Sequence, residues 1–427
     1  MTLADLKAST ITPLMKGIPA AIGVIPASRI GEQKLGLLRQ DVEFPVAILR
    51  QSALDHNRRW MRDFLARTGV LLAPHGKTTM SPELIDAQME DGAWAITAAT
   101  TAHIRVYHAY GVRRILHANQ LVGRSNIDGV LRLLAGDPHL DFYTLVDSHR
   151  GLAQLREGLQ RTPIGRPLQL LLEVGDEGGR TGVRKHEDAV ALAQKVAEDP
   201  LFCLTGIECF EGIYSGRASH DDDLASLMVS GMTNLALILR SEGLFGIDEP
   251  IFSAGGSAYF DLVAREANRQ LAQSGFRTIL RSGCYLTHDS FHYRQIHERL
   301  GLDGASGGRD GLKAALEVWG CVQSRPEASL AIVNLGKRDI SYDIDLPEAL
   351  CTYRAGETAP QPVGDGVRVR ALNDQHLFLT IPEASDLEVG DLVGFGISHP
   401  CTTFDKWRTL LIVDDDLEVK SLVHTFF

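Results

Sequence analysis

The sequence predicts an α/β fold, a (β/α)8 barrel followed by a second, mainly β C-terminal domain. Three observations carry that reading. Between about residues 69 and 285, eight short apolar runs alternate with longer amphipathic stretches. After about residue 290 the helical periodicity fades and short apolar segments alternate with turn residues. The chain has 427 residues, too many for one small domain, while a barrel alone fills about 250.

Taken in order, residues 1–44 read as an N-terminal extension and lead-in, with weak helical pattern and several Pro and Gly. "FPVAILRQSALDHNRRWMRDFLA" then gives a strand and an amphipathic helix entering the barrel, placed at 45–288. The barrel runs are "VLLAP" (70–74), "WAIT" (94–97), "RILHA" (114–118), "FYTLV" (142–146), "LQLLLEV" (168–174), "LTGIECF" (204–210), "PIFSA" (250–254) and "TILRS" (278–282). Segments such as "DAVALAQKVAED" supply the helices between them. A doubly wound sheet would alternate too, but no GxGxxG follows a first strand. Residues 289–427 form the β domain, with "LAIVNLGKRD" and "GVRVRALNDQHLFLTIP" as examples of its texture.

The composition excludes several classes of function. A formal charge of −11 without a compensating basic run argues against nucleic-acid binding. Six cysteines without a CxxC pair suggest neither a disulfide framework nor a structural zinc knuckle. No uninterrupted apolar stretch reaches the roughly 18 residues of a membrane span. A cytoplasmic protein without membrane partners is the expectation.

Chemistry-bearing residues of such a barrel sit at the C-terminal ends of its strands. "LLAPHGKTT" puts Lys77 just past the first run, between a glycine and two threonines. A nucleotide phosphate loop would need glycine five positions before Gly76, where Leu71 stands. A desolvated lysine near other cations can instead form a Schiff base with an aldehyde. Phosphate sites in barrels favour the loops after strands seven and eight. Here those are "SAGGSAY" (253–259) and "RSGCY" (281–285), with glycines for close backbone approach and Ser253 and Ser257 as hydroxyl donors. In "SHPCTTFDKW", His399 and Cys401 stand two apart, so an extended backbone would present both on one face to share an ion. The same spacing also arises from a small thiol packed beside a histidine.

"PHGKTTMSPEL", "GRTGV" (179–183), the two glycine loops and "HPC" together resemble the fold-type III pyridoxal-phosphate enzymes, in particular the D-serine dehydratases and D-threonine aldolases. The resemblance spans roughly residues 42–415. It implies a barrel plus a β domain, paired as a homodimer. It implies pyridoxal 5'-phosphate bound to Lys77 as a Schiff base, Arg180 near the phenolic oxygen and Tyr214 beside the ring. Ser253, Gly255, Gly256, Ser257, Gly283 and Cys284 would cradle the phosphate, and His399 and Cys401 would bind Zn2+. The aldolases usually carry aspartate where this chain has Cys401, and the dehydratases carry cysteine. This chain departs from the family in its phosphate loop and in the insert at 291–312. The implied activity is dehydration of D-serine or a related D-β-hydroxy amino acid to a 2-oxo acid and ammonia. The alternatives are a metal-dependent D-threonine aldolase, an amino-acid racemase, and a non-enzymatic pyridoxal-phosphate carrier.

Overall fold

The computed structural model describes residues 2–214, 218, 220–271, 273–299 and 311–427. The chain forms two compact units, each discontinuous in sequence. One comprises Arg62–Lys77 and Ile85–Gly283, the other Met1–Met61, Thr78–Leu84 and Cys284–Phe427.

The first unit is the barrel. Its strands are β1 (Leu71–Leu72), β2 (Ile96–Ala98), β3 (Arg114–Gln120), β4 (Asp141–Val146), β5 (Leu168–Val174), β6 (Phe202–Cys209), β7 (Ile251–Ala254) and β8 (Arg277–Leu280). All eight are parallel, and β8 returns to β1 with Leu280 opposite Leu72. Closure between β1 and β2 rests on the Trp94 amide donating to Leu72 O at 2.7 Å and on a bridge between His75 and Thr97. The strands are nearly continuous in apolar residues because both faces are covered. Inside, Ala73, Ala95, Leu116, Leu145, Leu171, Ile251 and Ile279 form one cluster that fills the barrel.

Outside lie amphipathic helices. Arg124–Gly136 buries Ile127, Val130, Leu131 and Leu134, a spacing that aligns one face. His149–Arg161 starts where the Ser148 side chain accepts from the Gly151 amide at 3.2 Å. These elements follow the order expected from the sequence.

The second unit is built on the long strand Leu316–Glu327. It pairs antiparallel with Leu392–Gly396, with Leu330–Val333 and with Val46–Arg50. Val46–Arg50 also runs parallel to Thr409–Val413. The strand in "FPVAILR" is therefore part of this sheet. The N-terminal residues join its core: Ile11, Ile18, Ile30 and Leu37 pack in one cluster with Trp319, Leu392 and Leu411. Burying each such side chain contributes about 1.5–3 kcal/mol, enough to fix a segment with little regular structure. The β texture expected after residue 290 is present, with two short helices added, His292–Arg299 and Cys401–Phe404. The helix His292–Arg299 accounts for part of the unusual insert, and residues 300–310 of that insert lie outside the described ones.

Candidate active site

At the end of β1 the chain turns through a 3-10 turn, Gly76–Thr78. Gly76 is required there, because a Cβ would stand 2.6 Å from the hydroxyl of the buried Tyr107. Lys77 follows at the C-terminal end of the strand, as expected. Its side chain is exposed in the single chain. Its neighbour His75 has a buried Nδ1 with no hydrogen-bond partner among the described residues. Burial, reinforced by the charges of Lys77, Arg281, His103 and Arg180, holds His75 well below the ordinary histidine range. Both effects favour its uncharged form.

The ends of β6, β7 and β8 meet around Arg281. Its guanidinium donates to the Cys209 carbonyl at 2.6 Å and makes an ion-pair contact with Glu208. Both Glu208 carboxyl oxygens are buried without a well-aligned hydrogen bond, and so is Arg281 Nε. Burial pushes Glu208 up to about 8, against the opposing pull of Arg281. Three residues on, Glu211 is fully buried and lies on the glycine loop. The Gly255 amide donates to Glu211 Oε2 at 3.2 Å and the Gly256 amide to Oε1 at 2.6 Å. The two amides thus already hold an anionic group. Gly255 has φ +82°, a conformation that favours glycine and turns its amide toward the carboxylate.

Ser282 ties the two glycine loops together, its hydroxyl donating to Gly255 O at 3.0 Å and Gly256 O at 3.2 Å. Gly283 follows it directly. Ser253 Oγ is buried without a partner among the described residues. Ser257 begins the turn that leads into the helix Phe260–Leu271. Arg180 stacks 4.2 Å above the Phe210 ring. Tyr214 donates its hydroxyl to Asp176, and desolvation followed by that carboxylate raises it above the ordinary tyrosine range. A rim with an exposed lysine, two arginines, anion-binding amides and unsatisfied hydroxyl and imidazole groups suits a phosphate-bearing aldehyde.

In the other unit, His399 and Cys401 depart from the extended geometry expected of them. Pro400 takes helical angles (φ −58°, ψ −46°) and Cys401 opens the turn Cys401–Phe404. His399 Nδ1 is 2.7 Å from Asp343 Oδ2, and Thr402 donates to the other oxygen of that carboxylate at 2.6 Å. With Nδ1 donating, Nε2 keeps its lone pair for a metal, an orientation that carboxylates commonly impose on ligand histidines. Cys401 Sγ lies 3.7 Å from Thr78 Oγ1 and 4.0 Å from Cys284 Sγ. Cys284 Sγ is 3.8 Å from the same hydroxyl, so its side chain points at the cysteine of the HxC motif. Among the described residues no group of three His, Cys, Asp or Glu side chains is placed to hold a metal ion.

Arg281, Glu208, Glu211, Asp343 and Thr78 are not singled out by sequence reasoning. Arg281 stands inside the quoted "RSGCY" loop, and two acids inside and just after the apolar run "LTGIECF" are a legible anomaly. Nothing in the sequence marks Asp343, which is remote from His399 along the chain.

Residues 315–413 match a family model described as "Putative serine dehydratase domain". The 3-hydroxy-D-aspartate aldolase of Paracoccus denitrificans (strain Pd 1222) is 26% identical over 318 residues, covering 73% of this chain and 76% of that one. The D-threonine aldolase of an Arthrobacter species is 24% identical over 380 residues, 88% of this chain and 90% of that one. Among solved structures, D-threonine aldolase from Filomicrobium marinum superposes with a TM-score of 0.75 at 22% identity, covering 92% of this chain and 97% of that one. D-threo-3-hydroxyaspartate dehydratase from Delftia sp. HT23 gives 0.72 at 20% identity, with 92% and 99% covered. Similar solved structures include two alanine mutants of a D-threo-3-hydroxyaspartate dehydratase, one at a histidine and one at a cysteine two positions later, the latter in the metal-free form.

Proposed function

We propose that this chain, which belongs to the D-serine dehydratase and D-threonine aldolase family of alanine-racemase-like barrels, is a pyridoxal-phosphate- and zinc-dependent dehydratase of a D-β-hydroxy amino acid. The observation that carries dehydration over aldol cleavage is Cys401 behind His399, a pair of the same residue types and spacing as the two altered in the dehydratase mutants above.

Lys77 would hold the cofactor's aldehyde, and the amides of Gly255 and Gly256 its phosphate, with Arg180 and Arg281 supplying positive charge. The cofactor, when bound, supplies an electron sink for a carbanion at Cα. Lys77 Nζ, exposed at the rim and freed once the substrate amine takes its place on the aldehyde, would take the α-proton of the substrate. His399 and Cys401 would hold zinc, whose Lewis acidity would make the β-hydroxyl a better leaving group. Asp343 keeps the His399 ring oriented for that task. Loss of water and hydrolysis of the resulting enamine give a 2-oxo acid and ammonia. The reading takes the working form as a homodimer, as the family resemblance implies.

A second reading is aldol cleavage to glycine and an aldehyde, favoured by the two relatives described above, both named as aldolases. Incubation with D-serine, D-threonine and D-3-hydroxyaspartate separates the two. A 2-oxo acid with equimolar ammonia is expected, with little from the L forms. Glycine as the main product would replace this reading by the aldolase one.

A further inference from the structure

We infer that Phe210 is a positioning residue of the cofactor site, a neutral platform seated on the glycine loop after β7 that holds the Arg180 guanidinium in place. This rests on the proposed binding of pyridoxal phosphate and adds to it a residue that acts through Arg180. Two guanidinium groups converge on this one ring, Arg180 at 4.2 Å from its centre and Arg281 at 5.9 Å. Each lies within the roughly 6 Å over which an aromatic face attracts a cation. One arginine comes from the loop after β5 and the other from the end of β8, so local sequence does not force them together.

The ring is itself fixed. Phe210 follows β6 directly and precedes the 3-10 turn Glu211–Ile213. A Cβ at Gly212 would stand 2.5 Å from its Cζ, and one at Gly256 would stand 3.2 Å from its Cε2, so glycine at both positions makes room for it. The two arginines differ in how their charge is met. Arg281 is paired with the buried Glu208 and bonded to the Cys209 carbonyl. Arg180 is exposed, and no ion pair joins its guanidinium to a carboxylate among the described residues. Ordering so long a side chain costs conformational entropy. A carboxylate would order it but cancel its charge, whereas an aromatic face orders it and leaves the charge for an incoming anion.

An arginine held in this way serves an anionic oxygen better than a free one, since its ordering is complete before the ligand arrives. With pyridoxal phosphate on Lys77, a guanidinium held nearby also disfavours the protonated, cationic form of the Schiff-base nitrogen. Phe210 therefore raises cofactor affinity and lowers the pH at which that nitrogen gives up its proton, both through Arg180. A ring that only filled space would act without regard to Arg180.

The test is a double-mutant cycle on cofactor-free, full-length protein, read by titration with pyridoxal phosphate and then by the pH midpoint of the visible Schiff-base band. The wild type should form that band. Phe210→Leu and Phe210→Met, which lack an aromatic face, should each weaken cofactor binding by about threefold to tenfold and raise the midpoint. Phe210→Tyr keeps the face and should match the wild type in both. In an Arg180→Ala background, Phe210→Leu should change neither quantity further, because the group it acts through is gone. The remaining charged groups of the rim are common to every variant and drop out of the comparison. Circular dichroism establishes that each variant is folded. Equal losses from Phe210→Leu with and without Arg180 would mean that the ring only packs, and would overturn the inference while leaving the cofactor reading intact. Wild-type affinity and midpoint in folded Phe210→Leu would do the same. Failure of the wild type to form the band would overturn both.

Discussion

A carboxylate held by two backbone amides competes with any other anion for them. Glu211 occupies the amides of Gly255 and Gly256, the positions that a cofactor phosphate would use. Two unit charges about 4 Å apart repel by about 4 kcal/mol at an effective dielectric of 20, so the phosphate must displace or outweigh this carboxylate. Glu211→Gln keeps the size and one carbonyl acceptor while removing the charge. It is expected to tighten pyridoxal-phosphate binding by about tenfold or more, measured by spectroscopic titration of cofactor-free protein. Unchanged or weaker affinity would show that Glu211 and the phosphate do not share the amides. The glycines are legible in the sequence because their conformational freedom is intrinsic to the residue type. Glu211 is not, since an acid after an apolar run normally faces water, and only the fold returns this one to the loop after β7.

Secondary-structure elements are more legible than their partners. Parallel strands buried on both faces leave continuous apolar runs, so "LQLLLEV" and "PIFSA" announce β5 and β7 directly. The strand Val46–Arg50 is equally visible, but its membership of the β domain depends on pairing with strands more than 260 residues away, which no local pattern encodes. Period-two spacing suggests an extended HxC segment, and it misleads because Pro400 starts a helical turn there. Close approach between strands is another feature that sequence conceals. At Gly206 in β6 an added Cβ would stand 2.3 Å from the Ile251 carbonyl oxygen of β7. Here the ladder with β5 also slips by one residue, Leu170 facing Leu204 and Leu171 facing Gly206. Gly206→Ala therefore forces two backbones apart and is expected to cost about 2–4 kcal/mol. A lowered denaturant midpoint with unchanged slope would bear this out, and a stability equal to the wild type would contradict it.

Buried ionisable groups in both units make the stability of the whole chain depend on pH in a direction that can be worked out. Folding moves Glu208 from an ordinary value of 4.5 up to about 8. The folded chain therefore keeps a proton that the unfolded chain releases, and Glu208 contributes a loss of stability as pH rises from about 4.5 to about 8. Asp289, pushed up to about 7 by burial, acts in the same sense. His117 acts oppositely, since burial lowers it to about 4 and stability is lost as pH falls from 6.5 toward that value. The sum of these curves is ambiguous, whereas the difference between wild type and Glu208→Gln isolates one group. A glutamine side chain cannot ionise, so the variant should gain on the wild type steadily between about pH 5 and 8, by no more than about 1.4 kcal/mol per pH unit. Above about pH 8 the gap should become constant. Urea midpoints of the two proteins, taken from about pH 5 to about pH 9, provide the measurement. A gap that stays flat would mean that Arg281 keeps Glu208 ionised throughout, and the contact between them would then be a true buried ion pair.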